Sequence, residues 1–193
     1  MYRVLTYFIS KNLIAIPSQL VQPLAFQIVI YFGVGLEVTV EKFFIFYLIS
    51  LAMTMSASSI GMMLSCIFSN EEKTLQISPI IMMPMFIFSG FFANSGSYPE
   101  WIGWIQWISP IKYCLEAYVY NKFDDREYGE NDVNLVEFLN FKQGVWRCII
   151  ILFAFSIFYR MLAAFFLQKL VSNFQWMHLK LPSTEQRVLI YYI

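Results

Sequence analysis

Residues 74–104 read TLQISPIIMMPMFIFSGFFANSGSYPEWIGW, with no charged side chain before Glu100. An α-helix needs about 20 apolar residues to cross a hydrocarbon layer of ~30 Å, so the run is long enough to span. The residues after its Ser-Gly pair are unusual for a simple span. Phe91 and Phe92 lead into a short polar turn, and tryptophans then stand three apart at Trp101, Trp104 and Trp107. Residues at that spacing share one side of a helix, and tryptophan prefers the headgroup level of a bilayer. The chain is expected to cross, turn and fold back into the outer leaflet without crossing again. Pro99, Gly103 and Pro110 interrupt the returning part, which reads as two short helices, one on each side of Pro110.

Two more stretches, 12–36 and 43–70, also lack any charged residue, and a further apolar stretch near 144–166 is interrupted by Arg160. Backbone groups in lipid must be bonded within their own segment, which makes these stretches helices. They are too long for the short strands of a barrel. The expected fold class is an all-α integral membrane protein. It has four transmembrane helices near 14–36, 43–66, 74–92 and 144–166, a re-entrant helical hairpin over 98–120, and a small extracytoplasmic loop.

Composition agrees. Of 193 residues, 59% are hydrophobic and 13% charged, against about 25% charged in soluble domains. The net charge of zero gives no electrostatic footprint for nucleic acid. Cys66, Cys114 and Cys148 lie in or beside apolar runs, which fits neither a disulfide framework nor metal-ligand spacing. The N-terminus shows no secretory signal pattern.

Within the spans, Pro23 is expected to kink the first helix, and Pro79 and Pro84 to bend the third. In the second, Ala57, Gly61 and Ser65 recur at four-residue spacing. Such a face lets two backbones approach closely, either within the bundle or at a seam between two copies. Residues 121–143 are hydrophilic and acidic on balance, and with LVEFLNF inside they read as a small folded cap. Residues 170–193 read as a short tail.

Four crossings place both termini on one side. With that side cytoplasmic, seven Lys and Arg fall inside and six outside, which barely decides the orientation. Acids are less even, three inside and ten outside, but they count for little in the rule.

The segment FSGFFANSGSYPEWIGWIQWISPIKYCLEAYVYNKF resembles the end of the transmembrane domain of the G-type ATP-binding cassette half-transporters, the White, sterol and multidrug subfamily. The resemblance is carried by Phe88-Ser89-Gly90, Asn94, Pro99, Trp101, Trp104, Ser109, Lys112-Tyr113 and Glu116-Ala117. YRVLTYFISKNLIAIP, SASSIGMMLS and FYRMLAAFFLQK are similar to further parts of the same domain, so that nearly all of 1–169 is covered. Residues 1–169 are thus identified as a partial G-type ABC-2 transmembrane domain, its spans matching the family's third to sixth, with 170–193 as a cytoplasmic tail. The family's nucleotide-binding domain has no counterpart. No G-x-x-x-x-G-K-[ST] phosphate cradle occurs, so the chain is expected to bind no cofactor, ATP and Mg belonging to the missing domain. A truncated gene model or a fragment of a larger protein would account for this. The family usually carries cysteines in the loop before the last span, and residues 121–144 have none.

The resemblance also implies roles. Met82, Met83 and Phe86 would line a substrate cavity at a dimer axis, a pliable apolar wall suited to flat hydrophobic substrates. Contact with lipid or neighbouring helices explains the same residues without a cavity. Phe91 and Phe92 would form a gate or plug above the cavity. Trp101, Trp104 and Trp107 would anchor the hairpin at the interface. Lys112 and Glu116, four apart in a half-buried segment, read as a structural ion pair. Arg160 is placed to extend toward the inner headgroups. No arrangement for hydrolytic chemistry is present in the chain itself.

The function this implies is the membrane-spanning portion of an ATP-driven exporter of lipids, sterols or other hydrophobic molecules. Its partners would be a second half-transporter, a nucleotide-binding domain in the same chain or in trans, the hydrophobic substrate and the bilayer of a plasma or intracellular membrane. A non-transporting four-span scaffold and a stand-alone permease subunit recruiting a separate ATPase remain the alternatives.

Overall fold

The computed structural model describes residues 4–33, 39–68, 70–91, 103–123 and 144–180, with side chains described from 6 to 122 and from 144 to 172 within them. The described residues are helical throughout their elements, with no strand among them. In chain order these are α1 (Val4–Gly33), α2 (Val40–Phe68), α3 (Glu71–Phe86), the short α4 (Ile105–Ile108), α5 (Pro110–Phe123) and α6 (Val145–Lys180). A π-helical turn, Ile87–Phe91, continues α3. Among the described residues, four helices are long and apolar enough to cross a membrane: Thr6–Gly33, Val40–Phe68, Glu71–Phe91 and Val145–Ser172.

The elements start and stop for local reasons. Asn70 caps α3, its side-chain oxygen accepting the Glu72 amide at 3.0 Å. Glu71 and Glu72 set negative charge against the positive end of the helix dipole. The helix therefore starts at Glu71, three residues before the expected Thr74. Pro110 opens α5, where its missing N–H costs nothing, and Ser109 before it is extended, as a pre-proline residue prefers. The break between the two short helices falls there, as the sequence indicates. α1 is helical from Val4 and continues through Pro17 and Pro23. α6 runs on past residue 169 to Lys180, so the first part of the expected tail is helical. The loop expected over 121–143 lies outside the described residues from 124 on.

α2 and α6 form the centre, with α5 against both at one end. One buried cluster joins Ile49 and Ala52 of α2 to Tyr113, Cys114 and Ala117 of α5 and Cys148, Ile149 and Leu152 of α6. A second joins Ile60 and Leu64 of α2 to Met85 of α3 and Tyr159 of α6. Small residues make the α2–α6 approach possible. Ala52, Ser56 and Ser59 are fully buried, and the Ser56 hydroxyl reaches the Leu152 carbonyl at 2.7 Å. The stripe of Ala57, Gly61 and Ser65 stands one step around the helix. Gly61 and Ser65 are exposed, and nothing lies within 4 Å of a Cβ built on Gly61. The close packing inside this bundle thus runs along Ala52, Ser56 and Ser59.

α1 is amphipathic in the sense opposite to a soluble helix. Its buried positions are Gln19, Pro23, Gln27 and Tyr31, four apart. Its exposed face carries Ile14, Val21, Phe26, Val29 and Phe32. Polar side chains face the other helices, and apolar ones face the position of lipid. Gln27 donates to the Phe43 carbonyl at 2.8 Å and Gln19 to the Ser58 hydroxyl at 2.8 Å.

Candidate functional site

α3 packs one side into the bundle and leaves the other open. Met85 is buried and Met82 half-buried, both in or against the second core cluster. Leu75, Pro79, Ile80, Met83, Phe86, Ile87 and Phe91 are exposed. Their spacing is helical, so they form one continuous apolar stripe. Met83 is 68% exposed, Phe86 44% and Phe91 62%.

The stripe ends in a specific piece of backbone. Gly90 has φ 96°, inside the left-handed region that side chains with a Cβ avoid. That residue closes the π turn, and the turn sets Phe91 against Phe86, the rings stacked with centroids 5.8 Å apart. Two hydroxyls hold the turn. Ser89 donates to the Phe86 carbonyl at 2.7 Å, and Ser109 donates to the Met85 carbonyl at 2.8 Å, both serines being fully buried.

Ser109 belongs to the break between α4 and α5, so the hairpin is tied directly to the turn. Further bonds hold the hairpin to the bundle. The Tyr159 hydroxyl donates to the Ile108 carbonyl at 3.3 Å, Tyr118 lies 2.7 Å from the Ser50 hydroxyl, and Asn121 donates to the Lys42 carbonyl at 3.2 Å. Lys112 is only 8% exposed and Glu116 2%. The Lys112 ammonium donates to Oε1 of Gln106 at 3.2 Å and sits 4.6 Å over the Trp107 ring, a cation–π contact strengthened by burial. Glu116 stands one turn later on α5. Trp104 and Trp107 are exposed on α4 and its start. Phe92 and Trp101 lie outside the described residues.

A second polar site sits between α1, α2 and α6. Arg160 donates through Nε to the Ser59 hydroxyl at 3.0 Å and through Nη2 to Oε1 of Gln19 at 3.2 Å. Ser59 in turn donates to the Met55 carbonyl at 2.6 Å and lies 3.2 Å from the Ser156 hydroxyl. Arg160 is thus turned inward along the bundle, where the sequence predicts a reach to the headgroups. A charge inside an apolar bundle is costly, and these hydroxyl and amide oxygens offset that cost in part. Sequence reasoning does not single out Gln19, Ser59 or Gln106, and it names Ser109 only within the family pattern. The available signal for Gln19 is that an otherwise apolar span carries several amides, Gln19, Gln22 and Gln27 among them. Among the described residues no group of His, Cys, Asp and Glu is placed to hold a metal ion.

The described residues thus hold four helices that could cross a membrane, an α3 ending in a stacked-ring turn, and two short helices whose junction is tied to that turn. The family model described as ABC-2 type transporter matches residues 1–123, and the chain belongs to that family. Similar curated proteins include the protein white of Drosophila melanogaster, 35% identical over 131 residues, which is 67% of this chain and 19% of that protein. The ABC transporter G family member 2 of Dictyostelium discoideum is 32% identical over 131 residues, 68% of this chain and 10% of its own length. The ABC transporter ATP-binding protein/permease wht-1 of Caenorhabditis elegans is 29% identical over 123 residues, 64% of this chain and 18% of its own length. The chain is therefore similar to less than a fifth of the length of each of these relatives.

Proposed function

We propose that this chain is the membrane-spanning portion of an ATP-driven transporter that moves lipids, sterols or other hydrophobic small molecules across a membrane, working as a dimer. The observation that carries the reading is the exposed apolar stripe of α3, Met83 and Phe86 included, closed at one end by Phe91 stacked on Phe86. A bare apolar stripe of this length suits a wall shared with a second copy or a related half-transporter, with hydrophobic substrate between them. Phe91, with Phe92 beside it in sequence, is the gate of that cavity. Lys112 with Glu116 stiffens the hairpin above it, and Trp101, Trp104 and Trp107 hold the hairpin at the membrane surface.

ATP and Mg are bound elsewhere, in a nucleotide-binding domain of the longer protein or of a partner chain. The name of the Caenorhabditis relative, an ATP-binding protein and permease, supports this. Both termini face the cytoplasm, in a plasma or intracellular membrane. The test is Phe91→Ala with Phe92→Ala in the full-length protein. ATP-dependent transport of a lipid or drug probe changes while membrane expression is retained. Unchanged transport rates would remove the gate from the reading.

A further inference from the structure

We propose that Arg160, oriented by Gln19 and Ser59, binds the carboxylate of a single-chain amphiphile within the membrane. Arginine stays charged at any pH a protein meets. Arg160 lies well inside its span, since α6 is apolar for most of the stretch between Arg147 and Lys169. Among the described residues no acid stands beside it. Residues 6–33 and 145–172 contain no Asp or Glu, and the acids of the other two spans, Glu41, Glu71 and Glu72, stand at their first residues.

The guanidinium geometry narrows the ligand. Its Nε–Nη2 edge is occupied by Ser59 and Gln19. Those two contacts fix the plane of the group. Among the described residues no partner meets the opposite edge, formed by Nη1 and the second Nη2 hydrogen, and Arg160 is only half-buried. Two parallel N–H donors in one plane match a carboxylate in bidentate fashion. A carboxylate at the end of a single apolar chain suits the depth. Such an acid enters the hydrocarbon layer in its neutral form, and on pairing with Arg160 its proton leaves to the aqueous phase. A phospholipid phosphate is held at the interface by its two chains and glycerol.

The test is read on binding alone, so its outcome is separate from that of the transport reading. The full chain is reconstituted into phosphatidylcholine nanodiscs with nitroxide-labelled stearic acid. The fraction of probe held against the protein is measured by electron paramagnetic resonance at alkaline pH, where the acid is ionised. The labelled stearate is held several-fold more than its methyl ester. Arg160→Gln brings it to the level of the ester, and Arg160→Lys, which keeps charge but not the fork, lowers the preference by less. The lysine variant carries the assignment if the glutamine variant does not insert. Unlabelled oleate displaces the probe, and sodium sulfate or phosphate does not. Equal retention of acid and ester, an unaltered preference in the variants that insert, or displacement by sulfate or phosphate overturns the proposal.

Discussion

The Ser109 hydroxyl donates to the carbonyl of Met85 across 24 positions of sequence, at 2.8 Å and out of contact with solvent. It joins the break between α4 and α5 to the last turn of α3, just below the π turn. Replacing Ser109 by alanine leaves a buried carbonyl without that donor, at a cost of about 1–3 kcal/mol. The expected result is a lower midpoint of thermal unfolding in detergent for Ser109→Ala. An unchanged midpoint would show that the tie contributes nothing.

Gly90 tests the backbone of the same turn. At φ 96° a Cβ is strained, and Gly90→Ala is expected to cost roughly 1–2 kcal/mol. Gly90→Asn, which tolerates left-handed backbone better, should cost less. Thermal unfolding of the two variants gives the order directly, and equal losses would point to crowding instead of backbone strain.

At the other end of α3, Asn70→Ala removes the cap on the Glu72 amide. The expected loss is about 1 kcal/mol, while Asn70→Asp, also a good cap, stays near the parent. Faster amide hydrogen exchange over the first turn of α3 in the alanine variant is the local measure of that loss.

Gly61 is expected to behave in the opposite way. It sits within α2 with open space where a Cβ would stand, so Gly61→Ala should raise stability by about 0.5–1 kcal/mol. A fall in the unfolding midpoint would mean that this face is covered in the assembled protein. Size-exclusion chromatography of the same variant would then show whether a second copy is the cover.

How much of the structure is legible in the sequence depends on what each signal averages over. Runs free of charge locate three spans because a single charge in lipid dominates the energy of its neighbourhood, and the fourth shows as an apolar run that only Arg160 interrupts. Pro110 marks the hairpin break because proline constrains both its own backbone and that of the residue before it. The inward face of α1 is hidden, since Gln19 and Gln27 are diluted among apolar neighbours in any window long enough to find the span. The seam between α2 and α6 is hidden for a different reason. Residues 52–65, AMTMSASSIGMMLS, contain two helical rows of small residues, and spacing ranks them equally. What selects Ala52, Ser56 and Ser59 is the Leu152 carbonyl and the Ser156 hydroxyl on another helix, far along the chain. The surroundings of Lys112 show the same limit. Gln106 and Trp107 reach it only because the chain turns at Ser109, which no count along a continuous helix reveals.

Pro79 and Pro84 each withhold an amide from the turn before them, so the ladder of α3 lacks two rungs from the outset. A bend at those turns therefore has two fewer backbone bonds to break than in an uninterrupted helix. The stretch above it, with its stacked rings and its tether to the hairpin, is a lever mounted on a pre-cut joint.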